Sequence, residues 1–311
     1  MLKYILLVGG FFLLIKGADL FVDGSSAAAK MLKVSPLIIG MTIVAMGTSL
    51  PETSVSVSAA IAGKNELAIS NVVGSNIFNL MVVCGVCAVL CPLKIDGVSL
   101  KRDFPFSIAI AGLLMLVGWL GWSVGHIDGL ILLALFALFL FIMVRSAKKQ
   151  HGESGGEDEY KTMPVWKLLL FIIFGMAAIA IGGKMVVSGA SDIARRFGMS
   201  DNLIGMTIVA LGTSLPELVT SMVAARKNEV DMALGNVIGS NIFNILFVLG
   251  VAAAIHPVAF TTANLIDTAV LIVMSGLVLL FCFRKRKLVR WQGAAMLLIY
   301  AGYTAYIINR N

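Results

Sequence analysis

The amino-acid sequence predicts an all-α polytopic membrane protein, with ten transmembrane helices arranged as two inverted five-helix repeats. Three observations support that fold. The 311 residues are 59% hydrophobic and only 13% charged, with a mean hydropathy of +0.96. Apolar runs of about 20 residues, each able to cross a hydrocarbon core of about 30 Å, recur along the whole length. The chain also matches itself at an offset of 165 residues, and each copy holds an odd number of runs.

A soluble domain carries roughly 25% charged residues, so this composition excludes a water-soluble fold. The net charge of +7 would point to nucleic acid in a soluble protein. In a membrane protein it reflects the Lys and Arg that gather in cytoplasmic loops, and no nucleic-acid partner is expected. Cys84, Cys87 and Cys91 fall at i, i+3 and i+7 of one apolar run, and Cys282 ends another. They read as small buried hydrophobes, with no disulfide or metal framework implied. Lys3 followed by the apolar stretch from Tyr4 to Ile15 has the look of a leader. No clean small-residue cleavage site follows, and the segment has an internal counterpart, so it is expected to belong to the architecture.

The duplication is explicit. Gly40 to Glu52 reads GMTIVAMGTSLPE and Gly205 to Glu217 reads GMTIVALGTSLPE, with twelve of thirteen positions identical. Asn71 to Asn79 is NVVGSNIFN and Asn236 to Asn244 is NVIGSNIFN, with eight of nine identical. The stretches Gly17 to Ser35 and Gly182 to Ser200 keep the same register. Apolar runs fall near 4–22, 36–62, 68–92, 104–124 and 127–144, then near 165–187, 201–225, 232–256, 265–283 and 291–308. Five spans per copy force the second copy to enter the membrane upside down, the inverted repeat of many secondary transporters. The first repeat occupies 1–146, the linker 147–164 and the second repeat 165–311.

Basic residues orient this topology. With the N-terminus outside, seventeen Lys and Arg fall on the cytoplasmic side. Five remain outside (Lys3, Lys64, Arg195, Arg196 and Arg310), and Lys16 and Lys184 lie within spans. The positive-inside rule therefore places both termini outside and the linker in the cytoplasm. The linker carries HGESGGEDEYK at 151–161. Its Glu153, Glu157, Asp158 and Glu159 read as a solvated hinge, the alternative being a weak calcium-sensing patch.

Chemistry concentrates on two carboxylates, Glu52 and Glu217, deep inside apolar runs. A charge at the bilayer centre costs about 2.5–3.5 kcal/mol even on lenient insertion scales. Paired at equivalent repeat positions, they point to an ion or proton site at the repeat interface, against a structural role for hydrogen-bonded buried acids. In a continuous helix Thr48 and Ser49 would share the face of Glu52. Pro51 lacks an amide hydrogen and clashes with the Gly47 carbonyl, so the helix must kink or open there and free carbonyl oxygens. Thr213, Ser214, Pro216 and Glu217 repeat the device. On the next span Ser75 and Asn79 share a face, matched by Ser240 and Asn244. Gly74 and Gly239 before them are expected to admit a neighbouring helix, although small and polar residues also serve as packing glue. With no His, Cys or Met among these paired polar positions, soft metals fit poorly. Hard oxygens suit Ca2+, and Na+ by the same logic, better than reluctantly dehydrated Mg2+.

The paired GTSLPE and GSNIFN segments resemble the alpha-repeats of the cation/Ca2+ exchanger superfamily, most closely its prokaryotic sodium/calcium exchangers, over essentially the whole chain. The resemblance implies a ten-helix inverted repeat whose broken second, third, seventh and eighth spans hold the ions. It implies that the long first and sixth spans slide during alternating access. By motif position it implies the ligands Glu52, Thr48, Ser49, Ser75 and Asn79 with Glu217, Thr213, Ser214, Ser240 and Asn244, completed by the carbonyls of Ala45 and Ala210. Potassium-dependent relatives carry Asp where this chain has Asn244, and the amide argues against a K+ requirement.

The expectation is a calcium/sodium antiporter serving calcium homeostasis from the plasma (inner) membrane. Ca2+ and Na+ are its substrates and the bilayer its surroundings, with no cofactor and no obligate protein partner. An H+/Ca2+ antiporter on the same site stays open, since a desolvated carboxylate can take a proton in place of Na+, as does a passive cation channel. No HExxH or GxSxG motif supports an enzyme. The absence of a P-loop leaves an ion gradient as the driving force. Lys16, Asp19, Asp23, Lys184 and Asp192 read as local pairs or interfacial charges, with gating on the sliding helices as the alternative. His126 and His256 read as interfacial, and Phe78 and Phe243 as packing residues.

Overall fold

The computed structural model describes residues 2–63, 66–95, 97, 99–153, 163–199, 204, 208–283 and 286–310. The stretch 154–162, which holds Glu157, Asp158 and Glu159, lies outside the described residues, as do Gly205, Met206 and Thr207 of the second GMTIVALGTSLPE segment. Among the described residues the chain is helical apart from four two-residue strands and short connections.

The helices, in order, are α1 (Leu2–Leu32), α2 (Pro36–Thr48), α3 (Leu50–Ile61), α4 (Leu67–Leu90), α5 (Leu100–Gly121) and α6 (His126–Glu153). The second copy supplies α7 (Val165–Arg196), α8 (Ala210–Thr213), α9 (Leu215–Arg226), α10 (Val230–Ile255), α11 (Thr262–Phe283) and α12 (Arg290–Arg310). Seven of these, α1, α4, α5, α6, α7, α10 and α11, are long and apolar enough to cross a membrane, and the bent pair α2–α3 makes an eighth candidate. Proline and left-handed residues punctuate them. Pro36 opens α2 after an extended Ser35, where its missing N–H costs nothing. Trp122, at φ 50°, ends α5.

The helices α1 and α7 are longer than their apolar runs. Hydropathy places them at 4–22 and 165–187, whereas α1 reaches Leu32 and α7 reaches Arg196. The helices continue through polar positions because alanines such as Ala27, Ala28 and Ala29 favour helix whatever the solvent. At 31 and 32 residues, each is about 45 Å long, well beyond the thickness of a hydrocarbon core.

The chain divides into two compact units, and each draws on both repeats. One is Met1–Pro51 with Phe141–Asn236, and the other is Glu52–Leu140 with Val237–Asn311. The first is built on the antiparallel pair α1–α7, joined along a seam of glycines at seven-residue intervals: Gly10, Gly17 and Gly24 on α1, and Gly175, Gly182 and Gly189 on α7. Every seventh residue returns to within about 20° of the same helix face, so the seam stays nearly straight. A methyl at Gly10 would stand 2.9 Å from the Gly182 carbonyl, and one at Gly175 would stand 2.9 Å from the Gly17 carbonyl. Backbone meets backbone there, the close approach that small residues permit between helices in lipid. Near the end of α1, Lys227 bonds Asp23 at 2.8 Å and lies 3.4 Å from Asp19, which also pairs with Lys16 at 3.9 Å. Asp192 pairs with Arg195 at 2.9 Å.

The second unit holds two small antiparallel ribbons, β1 (Leu93–Lys94) with β4 (Lys287–Leu288), and β2 (Ser123–Val124) with β3 (Val258–Ala259). β1 and β3 stand at equivalent repeat positions, so each ribbon pairs a strand of one copy with a strand of the other. Asn76 and Asn241, also equivalents, bond reciprocally, each Nδ2 donating to the other's main-chain oxygen at 3.0 and 3.3 Å. A local two-fold relation produces that reciprocity. Phe136, Phe139, Phe243 and Phe247 form an aromatic cluster, and Phe78 meets Tyr300 edge-on at 5.8 Å. Both phenylalanines beside the motif asparagines are packing residues. Arg310 closes the unit with two 2.9 Å bonds to Asp267. His126 begins α6, its Nδ1 3.0 Å from the Ala254 carbonyl, and exposed His256 follows α10. Cys84, Cys87 and Cys282 are buried.

Candidate functional site

Each GTSLPE segment breaks its helix at the serine. Ser49 leaves helical geometry at φ −86°, ψ 14°, and Ser214 does so at φ −93°, ψ 7°. The cause lies two residues on, where Pro51 and Pro216 lack the amide that would continue the ladder. The axis bends by 49° between α2 and α3. Glu52 and Glu217 thereby fall in the first turns of α3 and α9. That end of a helix favours negative charge, because its amides have no helical partners.

The next span of each copy opens differently. A wider, π-helical turn runs from Asn79 to Val83 in α4 and from Asn244 to Leu249 in α10, each beginning at the motif asparagine. A third, Gly40–Val44, lies in α2 just before Ala45. Such turns are rare and concentrate at functional sites. Gly74 does not act as expected: a methyl there would meet nothing within 4 Å, so it admits no neighbouring helix among the described residues. Gly40, on the π-helical turn of α2, does meet a neighbour: a methyl there would stand 2.5 Å from the Met232 carbonyl.

The first unit holds Ala45, Thr48, Ser49, Thr213, Ser214 and Glu217, all buried. Ala210, in the same unit, is described by its helical backbone alone. The break takes Ser49 out of the register it would share with Glu52, and its hydroxyl donates instead to Glu217 Oε1 at 2.7 Å. Glu217 Oε2 is buried with no hydrogen-bond partner among the described residues. The second unit holds Glu52, Ser75, Asn79, Ser240 and Asn244, again all buried. Both carboxamide atoms of Asn79 and the Ser240 hydroxyl lack partners among the described residues, as does Asn244 Oδ1. Asn244 Nδ2 donates to Asn76 Oδ1 at 3.1 Å. A buried polar atom left unpaired costs about 1–3 kcal/mol. Most of these atoms are oxygens, the donor type that hard cations take.

Six residues that sequence reasoning passed over complete the polar network. Asn71 donates to Ser56 Oγ at 2.9 Å and to the Glu52 carbonyl at 3.3 Å. Asn236 makes the equivalent bonds to Ser221 Oγ at 2.9 Å and the Glu217 carbonyl at 3.4 Å. Asn76 and Asn241 are the reciprocal pair described above. The available signal was the repeat itself, since all six recur at the 165-residue offset.

The sequence pattern described as "Sodium/calcium exchanger protein" matches residues 2–145 and 167–309. The chain belongs to the sodium/calcium exchanger family. Its membership in the wider cation/Ca2+ exchanger superfamily, as a prokaryotic-type member, follows. The relatives extend over nearly the full length. The putative antiporter CaxA of Alkalimonas amylolytica is 41% identical over 306 residues, covering 94% of this chain and 95% of that protein. The sodium/calcium exchanger MaX1 of Methanosarcina acetivorans is 32% identical, covering 97% of each. Among solved structures, the sodium-calcium exchanger NCX_Mj soaked with Na+ and Sr2+ superposes with a TM-score of 0.86 at 35% identity, covering 98% of each chain. For this exchanger-family chain the matched fold is thus an all-helical membrane protein.

Proposed function

We propose that this protein is a secondary active antiporter that exchanges Na+ for Ca2+ by alternating access. The observation that carries the reading is the buried Glu217 carboxylate, which accepts the Ser49 hydroxyl proton and recurs as buried Glu52 at the equivalent repeat position. Two carboxylate charges equal that of one Ca2+, and Na+ ions can balance them in its place, so the two cations exclude each other. The ligands on this reading are Glu52, Thr48, Ser49, Ser75, Asn79, Glu217, Thr213, Ser214, Ser240 and Asn244 with the carbonyls of Ala45 and Ala210. Most are hydroxyl, amide and carbonyl oxygens, the flexible six-to-eight-oxygen chemistry that Ca2+ accepts. The relatives named sodium/calcium exchanger support the same choice of ions.

Transport on this reading needs no cofactor and no partner protein. Ten spans place the chain in the plasma membrane with both termini outside and the linker 147–164 cytoplasmic, as the basic residues direct. The long α1 and α7 are the moving elements. Any net charge carried per cycle is worth about 2.3 kcal/mol per 100 mV, which couples exchange to the membrane potential. Ca2+ extrusion for homeostasis is the proposed role. The second reading, H+/Ca2+ exchange, uses the same two carboxylates, Glu52 and Glu217, as carriers of protons in place of Na+.

Radiolabelled Ca2+ uptake into proteoliposomes separates these readings. Uptake is expected when Na+ is loaded inside, and not with K+ inside or with a pH gradient alone. Uptake driven by the pH gradient alone would move the protein to proton coupling. Uptake that ignores every counter-ion would make it a channel.

A further inference from the structure

We infer that Asn236 is a positioning residue of the ion site: its carboxamide accepts the Thr48 hydroxyl proton and so leaves a Thr48 lone pair and the Ala45 carbonyl to the ion. The inference rests on the reading of Thr48 and Ala45 as ligands. A threonine hydroxyl has one proton to place. On a helix it ordinarily goes to a carbonyl three or four residues back. For Thr48 these are Ala45 O at 3.4 Å and Val44 O at 3.1 Å. A proton spent on Ala45 would occupy an oxygen that the ion needs.

The structure supplies a third acceptor, Asn236 Oδ1, 3.1 Å from Thr48 Oγ1 and contributed from the other repeat. Both side chains are buried, with Asn236 fully enclosed. The orientation of the carboxamide follows from its other bonds. The Glu217 carbonyl can only accept, so the amide edge facing it must be Nδ2, which also donates to Ser221 Oγ. Oδ1 is then left facing Thr48, and because it cannot donate, the 3.1 Å contact is a hydrogen bond only with Thr48 as the donor. Ala45 O keeps its main-chain bond from Ser49 N at 3.1 Å and retains its second lone pair. Asn236 thus ties the Glu217 turn to the hydroxyl of the opposite GTSLPE segment. Asn71 repeats the anchoring bonds to its own glutamate carbonyl and serine.

The test is a double-mutant cycle read as Ca2+ half-saturation by equilibrium binding, with thermal stability recorded for every variant. Thr48→Ala and Asn236→Ala are each expected to weaken Ca2+ binding about tenfold, as loss of a charge-assisted bond does. The double variant is expected to lose about tenfold as well, since both changes remove the same effect. Asn71→Ala combined with Thr48→Ala should instead multiply. Asn236→Ser, which keeps a hydroxyl for Ser221 and is too short for Thr48, should reproduce Asn236→Ala if that variant does not fold. A roughly hundredfold loss in the Asn236 double variant overturns the inference. So does an Asn236 variant that lowers thermal stability without changing half-saturation. A Thr48→Ala protein with wild-type Ca2+ binding overturns the ligand reading itself, and this inference with it.

Discussion

Glu217→Gln is expected to reduce Na+-dependent Ca2+ uptake to background while the purified protein stays folded. The substitution keeps shape and removes one charge. It leaves a bound cation facing an amide in place of a carboxylate, and removing one partner of a buried charge pair costs roughly 3–5 kcal/mol, about two to four decades in affinity. Stability should move the other way. In ion-free buffer the wild-type carboxylate is enclosed, with the Ser49 hydroxyl donating to Oε1 and no hydrogen-bond partner on Oε2 among the described residues. A neutral Gln needs no counter-charge, so the variant should melt at or above the wild-type temperature in the absence of ions and gain nothing from added Ca2+. Wild-type uptake by Glu217→Gln, or unfolding of the variant, would contradict the assignment.

The second large effect is structural and lies on the α1–α7 seam. A methyl at Gly17 would stand 2.9 Å from the Ile179 nitrogen and 3.0 Å from the Gly175 carbonyl, both main-chain atoms that cannot swing aside. Gly17→Ala should therefore destabilise the detergent-solubilised protein by roughly 1–3 kcal/mol despite alanine's better helix propensity. Gly17→Leu should prevent assembly. Gly112→Ala and Gly302→Ala are the controls, since a methyl at either meets nothing within 4 Å. They should be neutral or stabilising by up to about 1 kcal/mol. Melting followed by size-exclusion chromatography reads all four, and a Gly17→Ala protein as stable as the controls would show that the seam does not need its glycines.

Much of this was legible in the sequence because duplication turns single residues into pairs. One glutamate in an apolar run is ambiguous, whereas Glu52 and Glu217 at one repeat position are not. Pro51 and Pro216 announced the helix breaks. The breaks came at Ser49 and Ser214, and that detail redirected Ser49 from its own glutamate to Glu217. Local spacing could not show it, because the partner lies 168 residues away. Span lengths were misjudged for a related reason. Hydropathy registers solvent preference, while α1 and α7 stay helical through Asp19, Asp23 and Ser188 by propensity and mutual packing. The glycines at seven-residue intervals were visible, but only the antiparallel pairing of α1 with α7 gives them a purpose. Gly74 shows the converse, a glycine in a repeated motif that no neighbouring backbone among the described residues approaches. Asn71 and Asn236 stood in the open within the repeat. Their role depends on which oxygen each amide meets, and that belongs to tertiary structure.

The most direct test of the central claim, that one set of buried oxygens takes either Ca2+ or Na+, is equilibrium Ca2+ binding to the purified protein across a Na+ titration, with K+ as the control. The account predicts that Na+ displaces Ca2+ completely and more steeply than one-for-one, that K+ does not, and that Glu52→Gln and Glu217→Gln bind no Ca2+ at concentrations that saturate the wild type. Ca2+ binding that is indifferent to Na+, or undiminished in both variants, would contradict it.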